Sequence, residues 1–296
     1  MTFDADGTTL PDITDELVAS LVATQFPDLA GLDVGRHFAL EDHVAVRVGD
    51  HHGVVFPTDA RLDTYFARAA AILAPHTPHW TFPWSGPVRT GQPALGFPYH
   101  WVVIPWISAS TAAYVPLKPA VAPELGRALG EVHVTAPPDA PTSCEGAQAL
   151  THMHDDWGVL LDSAALTTDR TGHHLDVDGV RARWDNGLSA GPSPHWTWIH
   201  GNVEPRSVMS DQGNFAAVIL WHCFGAGNPE YDLACVSLLF PTQAHEDLYR
   251  GYGDLDSSSR ARIQAMSLFV ALRHINGTDP YRARHAWQRL VEWGLA

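Results

Sequence analysis

His200-Gly201-Asn202-Val203-Glu204-Pro205-Arg206-Ser207-Val208-Met209 and its continuation to Asp232 is the stretch that decides the fold. Just before it, Trp196-Thr197-Trp198-Ile199 is an aromatic and β-branched run that suits a buried strand. Gly201 and Pro205 break that run into a loop, and Ser207-Val208-Met209 resumes as a short apolar piece. Asp211-Gln212-Gly213-Asn214 is a turn signal between two apolar runs. Phe215 to Trp221 returns as the last strand. Gly225, Gly227, Asn228 and Pro229 then open a loop, and Tyr231-Asp232-Leu233-Ala234 starts a helix. The order is strand, tight loop, strand, turn, strand, loop, helix.

This order resembles the catalytic core of the aminoglycoside phosphotransferase (APH) family, a relative of the protein kinases. That core runs His-Gly-Asp, four residues, Asn, a strand ending in Ile-Asp-Trp or Ile-Asp-Phe, then Gly-Asp-Pro and Tyr-Asp-Leu-Ala. Here His200-Gly201 is followed by Asn202, the Asn position holds Ser207, and the Ile-Asp-Trp position reads Ile219-Leu220-Trp221. The tail, Gly227-Asn228-Pro229-Glu230-Tyr231-Asp232-Leu233-Ala234, stays close to the family pattern. The resemblance implies an α+β chain with a two-lobed, protein-kinase-like fold. A smaller β-rich lobe with nucleotide-lobe character would take residues 1–107, and a mainly helical lobe residues 108–296, joined near Trp106 to Ala112.

The match holds where the motif shapes backbone and fails where it does chemistry. Phosphoryl transfer needs a carboxylate to orient the nucleophile and accept its proton, and the side-chain amide of Asn202 is not basic at neutral pH. Magnesium takes hard oxygen ligands, usually carboxylates with phosphate and water. Ser207 and Leu220 stand at the two metal-ligand positions, so no metal is expected. In the family's smaller lobe a glycine-rich loop covers the phosphates and a basic residue on the third strand pairs with them. Here that loop reads Leu40-Glu41-Asp42-His43, with two carboxylates and no glycine, and the basic position reads Phe56. Arg47, one strand earlier, is either a substitute or an exposed edge residue. The acid that should pair with the base, on the following helix, is replaced at Ala69, and Pro105 removes a donor from the adenine-binding hinge. His200, Gly201 and Asp232 are retained and imply that the loop keeps its shape.

The resemblance therefore implies a catalytically degenerate member, a pseudokinase that keeps its cleft for a small ligand or a protein partner and needs no cofactor. The alternative is an active phosphotransferase of a small hydroxylated molecule, using MgATP, with Glu204, Asp211 or His222 as substitute residues.

Composition narrows the partners. Hydrophobic residues make up 45% of the 296 and charged residues 17%, as in a globular chain. A formal net charge of -15 repels phosphate backbones and anionic lipid, which argues against nucleic-acid and membrane-surface partners. The N-terminus, Met1-Thr2-Phe3-Asp4-Ala5-Asp6, has no signal-peptide pattern, no run is long and apolar enough to span a bilayer, and the cytoplasm is the default location. Cys144, Cys223 and Cys235 have neither metal spacing nor a disulfide framework. Among the 18 histidines, the pairs His51-His52 and His173-His174, and His152 with His154 two residues on, are able to bind metal or sense pH but read as solvated surface groups.

The remaining elements follow from periodicity. A first helix begins at Asp12 or Thr14, either able to cap it, and buries Leu17, Val18, Leu21 and Val22 before Pro27 ends it. Strand-like pieces lie at 35–40, 44–48, 53–56 and 101–107, with Trp80, Phe82 and Trp84 alternating as on a further strand. Helical patterns cover 62–73, 122–133, 147–161, 180–188, 229–240, 243–252, 257–276 and 281–293, with Ser257-Ser258-Ser259 offering caps.

Overall fold

The structure is a computed structural model that describes residues 2–3, 9–40, 42–194 and 196–296. Glu41, and with it half of the acidic loop, lies outside the described residues, as does most of the acidic N-terminal stretch. The chain divides into two compact units, Met1–Ser108 with Ala217–His222, and Ala109–Ala216 with Cys223–Ala296. The first is rich in strands and the second mainly helical, which gives the α+β, two-lobed class that the motif order implies.

The first unit is built on a five-stranded antiparallel sheet, in spatial order Val34–Ala39, His43–Val48, His52–Pro57, Trp101–Pro105 and Arg89–Gly91. Val46 opposes Val54, and Val54 opposes Val103, so one face carries a row of β-branched residues. Both faces are covered. Helix Asp15–Gln25 packs Val18, Leu21 and Val22 into a cluster with Val46, Val54, Phe56, Trp101 and Val103. On the other face, Val55 and Val102 meet Phe66 of helix Asp63–Leu73. This is why His52–Pro57 is buried at nearly every position rather than alternately. Thr14 caps the first helix, its hydroxyl accepting from Leu17 N at 3.3 Å.

Trp80, Phe82 and Trp84 do not lie on one strand. Only Trp84–Ser85 is a strand, pairing in parallel with Val218–Ile219. Trp80 and Phe82 come from a loop and stack on Trp221, with ring centroids 4.5 and 6.4 Å away. Their hydrophobic area is buried by aromatic stacking and not by a sheet ladder, so the alternation in sequence misleads.

The second unit is organised by helix Ser257–Asn276, which packs against helices His154–Ala165, Val177–Ser189, Pro229–Ser237 and Pro280–Glu292. Ile263, Ala265, Met266, Leu268, Phe269, Ala271 and Leu272 are all buried, so this helix is apolar on most sides, as a central helix must be. Its cap is Asp256, whose carboxylate accepts from Ser259 N at 2.6 Å, rather than one of the three serines. Helices Ala122–Val132 and His245–Tyr252 form a second packed pair.

Three expectations are corrected in this unit. The helix placed at 147–161 runs from His154 to Ala165, because the Gln148 carbonyl is taken by Asn228 Nδ2 at 2.6 Å and holds the preceding segment out of a helix. Gly225–Gly227, read as loop, is a short strand antiparallel to Thr197–Ile199. Its other edge is met by the segment at 141–143, through Ala226 N to Pro141 O at 2.8 Å and Ser143 N to Ala226 O at 2.9 Å. A Cβ at Gly225 would lie 2.6 Å from Ser143 N, so only glycine permits this approach. The same juxtaposition joins Cys144 to Cys223 in a disulfide, with Cα atoms 4.9 Å apart across a sequence separation of 79. Spacing along the chain could not reveal a bond that tertiary approach creates. Cys235 is free and buried. Among the described residues, no helix is long and apolar enough to cross a membrane.

Candidate functional site: the loop after His200

Strand Thr197–Ile199 delivers the chain into a loop that Asp232 holds from beneath. Asp232 Oδ2 accepts from His200 N at 2.7 Å and Oδ1 from Gly201 N at 2.9 Å. His133 Nε2 lies 3.0 Å from Asp232 Oδ2, and since a carboxylate only accepts, this nitrogen carries the proton. Nδ1 of His133 is left as the acceptor for the Tyr252 hydroxyl at 3.0 Å. Burial pushes the Tyr252 phenol up, so it keeps the proton it donates. His200 and Asp232 are fully buried. Gly201 has φ +80°, and a Cβ there would lie 2.3 Å from Ser143 Oγ, so glycine is required twice over.

The next turn closes on Ser207. Its hydroxyl donates to Asn202 O at 2.7 Å and accepts from Glu204 N at 2.8 Å. With the side chain wholly buried, both bonds are spent inside the loop. Ser207→Ala should therefore lower stability by about 1–3 kcal/mol, the cost of leaving a buried N–H and C=O unsatisfied. A urea midpoint unchanged from the parent would contradict this. Asn202 is half-buried at the loop's edge. Glu204 forms an ion pair with Arg282, and burial pushes its carboxyl up against the pull of Arg282 and Arg206.

The other positions singled out from sequence fall in the first unit. Phe56 is fully buried, stacked on Trp101 at 5.4 Å, and Ala69 is buried on helix Asp63–Leu73. Pro105 ends its strand, with its carbonyl accepting from Ser85 Oγ at 2.6 Å. The Asp42 carboxylate is lowered chiefly by its bond to His43 Nδ1 at 2.6 Å. Leu220 has φ +62°, a left-handed conformation that Asp, Asn or Gly adopts readily and leucine does not. Leucine therefore holds here a backbone shape that a residue with a short polar side chain would take at less cost.

Within the second unit, then, His200, Gly201, Asn202, Ser207 and Asp232 form one bonded constellation. Sequence reading missed His133 as the second support of Asp232, the 141–148 segment, and a cavity of about 130 Å³ under residues 202–205. His133 carried a usable signal, since it stands at the end of a helix of the kind the family motif places there. The cavity carried none, because its far wall comes from helix Pro280–Glu292, some eighty residues along the chain.

The sequence profile of the phosphotransferase enzyme family matches residues 45–266. No curated protein matches the chain. Several solved structures share its fold. The GDP complex of an aminoglycoside 2'-phosphotransferase is 14% identical, with a TM-score of 0.63 and 94% of this chain and 98% of that one covered. A macrolide 2'-phosphotransferase from Brachybacterium faecium is 17% identical, with a TM-score of 0.56 and coverage of 93% and 98%. A choline/ethanolamine kinase family protein from Mesorhizobium loti is 21% identical, with a TM-score of 0.57 and coverage of 95% and 94%. At these identities the likeness is one of fold, while the profile spans well over half of the sequence. The chain belongs to the phosphotransferase enzyme family of aminoglycoside phosphotransferase type.

Proposed function

We propose that this chain is a catalytically degenerate phosphotransferase, a pseudokinase of its family, that acts by binding a small molecule or a protein partner. The observation that carries this reading is Ser207. At a position where the family holds a metal ligand, its hydroxyl is buried and engaged on both sides by the loop's own backbone. Supporting it, Asn202 offers no basic oxygen, Leu220 offers no ligand, and Phe56 sits in an apolar cluster where a phosphate partner would stand. The donor set does not fit magnesium, which takes charged, hard oxygens, and no step is derived through a nucleotide. The runner-up, an active enzyme with substitute carboxylates, is weakened because Glu204 is held by Arg282.

The test compares the parent with the double variant Asn202→Asp, Leu220→Asp in a phosphate-release assay with MgATP and MgGTP. Neither protein should turn over above the buffer rate. The left-handed backbone at 220 accepts aspartate, but the double variant adds two carboxylates without supplying a basic partner for the phosphates. Magnesium-dependent turnover by the parent would refute the proposal. Turnover by the double variant alone would mean that only the loop has degenerated and that the nucleotide side is intact.

A further inference from the structure

The cavity under residues 202–205 has charged groups in its walls, yet each is paired. Arg282 pairs with Glu204 and lies 3.6 Å from Asp279, which also receives Arg206 at 2.9 Å. Arg273 reaches both oxygens of Glu145, at 2.8 and 3.2 Å. An entering cation would meet no spare carboxylate and an entering anion no spare guanidinium. Either would have to displace an existing partner and desolvate itself as well.

The remaining polar wall is neutral. The His274 and His285 imidazoles line the cavity and hydrogen-bond to no other described residue. Burial is the first cause that keeps them uncharged, holding His274 down at about 4 with Arg282 and Arg273 adding to it, and lowering His285 too. Each neutral ring offers one donor and one acceptor. The Tyr231 hydroxyl and the Cys235 thiol, both pushed up by burial, also keep their protons. Val203, Leu238, Val270 and Ala286 supply the apolar wall. Near 130 Å³ the space is close to the roughly 150 Å³ of an engineered cavity that holds benzene, so it has room for one ring.

We infer that this cavity binds an uncharged, single-ring molecule with both hydrogen-bond donor and acceptor groups, of the phenol or heteroaromatic amide class. The inference rests on the reading that the chain works by binding a small molecule, and it adds the class. The chain's net charge of -15 favours cations at long range, but that field is screened within about 8 Å at physiological salt, and inside the cavity the local pairing decides.

The test is calorimetry on the full chain without nucleotide, using four probes of similar size: phenol, nicotinamide, choline and benzoate. Phenol or nicotinamide should bind with a Kd below about 1 mM, and choline and benzoate at least about tenfold more weakly. Ala286→Phe, which fills the space, should abolish binding. His285→Leu, an apolar replacement at a partly exposed position beside Tyr281, should keep the urea midpoint near the parent's and weaken binding about tenfold through one lost hydrogen bond. Choline or benzoate binding as tightly as the neutral rings would overturn the inference. So would failure of all four probes to bind, or binding that His285→Leu leaves unchanged. Adding MgATP separates the two readings. Transfer of phosphate to phenol would refute the degenerate enzyme and leave this site standing, whereas preference for choline would refute this site and leave the degenerate enzyme standing.

Discussion

Glu230→Leu should destabilise the protein by about 3–5 kcal/mol, the cost of leaving one charge of a buried pair without its partner. Glu230 and Arg262 are each only 4% exposed at the side chain, and Arg262 Nε donates to Glu230 Oε1 at 2.8 Å. Arg262 also donates to Ser259 Oγ at 3.0 Å and to Ala190 O at 3.3 Å, so its guanidinium ties two helix ends to the segment before Ser193. These neutral acceptors would remain in the variant, but none carries the compensating charge. The pair is itself imperfect, since Glu230 Oε2 is buried without a hydrogen-bond partner among the described residues. The double variant Glu230→Leu, Arg262→Met should therefore recover most of the loss, because it removes both charges and keeps the volume. Urea midpoints for the two single variants and the double one form the cycle that tests this. A single variant within about 1 kcal/mol of the parent would show that water reaches the site and screens the lone charge.

Asp232→Ala should cost a similar amount, about 3–5 kcal/mol, for a different reason. Two backbone N–H groups and the His133 imidazole converge on one fully buried carboxylate. Alanine leaves all three donors unsatisfied, and bonds to a charged acceptor are the more valuable kind. Asp232→Asn keeps one acceptor oxygen but turns an amide NH₂ toward a donor, so it should fall between parent and alanine. Global unfolding alone cannot show that the loop is the part affected. Amide hydrogen exchange can: the His200 and Gly201 amides should lose protection in both variants, while amides of helix Ser257–Asn276 change only as far as global stability does. Retained protection at His200 and Gly201 in the alanine variant would show that the loop is held by something else.

What could be read from the residues divides along the range of the contacts. The three strands from Thr197 to Ile219 and the helix from Pro229 were legible because each is announced locally: β-branched runs for strands, Gln212-Gly213 for the turn between the last two, Pro229 for a helix start, whereas the glycine-rich strand Gly225–Gly227 reads as loop. Both turn residues have positive φ, as a two-residue hairpin turn demands. The departures of Asn202, Ser207 and Leu220 from the family motif were visible because His200-Gly201 and Tyr231-Asp232-Leu233-Ala234 match it on either side. Illegible were the features made by groups far apart in sequence, such as the Cys144–Cys223 disulfide, the 141–143 segment along Gly225–Gly227, and the cavity walls drawn from the last two helices. The sequence singles out Ser207 by comparison with the family motif. Only the folded structure reveals that its hydroxyl braces the loop, between Asn202 O and Glu204 N.

Trp221 has a consequence for the order in which this protein can be made. The first unit is discontinuous: its aromatic stack of Trp80 and Phe82 closes only on a residue that lies beyond Ala216. During synthesis the ribosome releases residues 1–108, then more than a hundred residues of the second unit, before the last six of the first unit emerge. Domains usually fold as units from the N-terminal end. Here the first unit has to wait, with two large rings uncovered, for the segment Ala217–His222, which carries Trp221 and is translated late. A gene fragment ending at Ser108 would encode the five-stranded sheet without the tryptophan on which Trp80 and Phe82 stack, so no single cut in the chain yields the first unit whole.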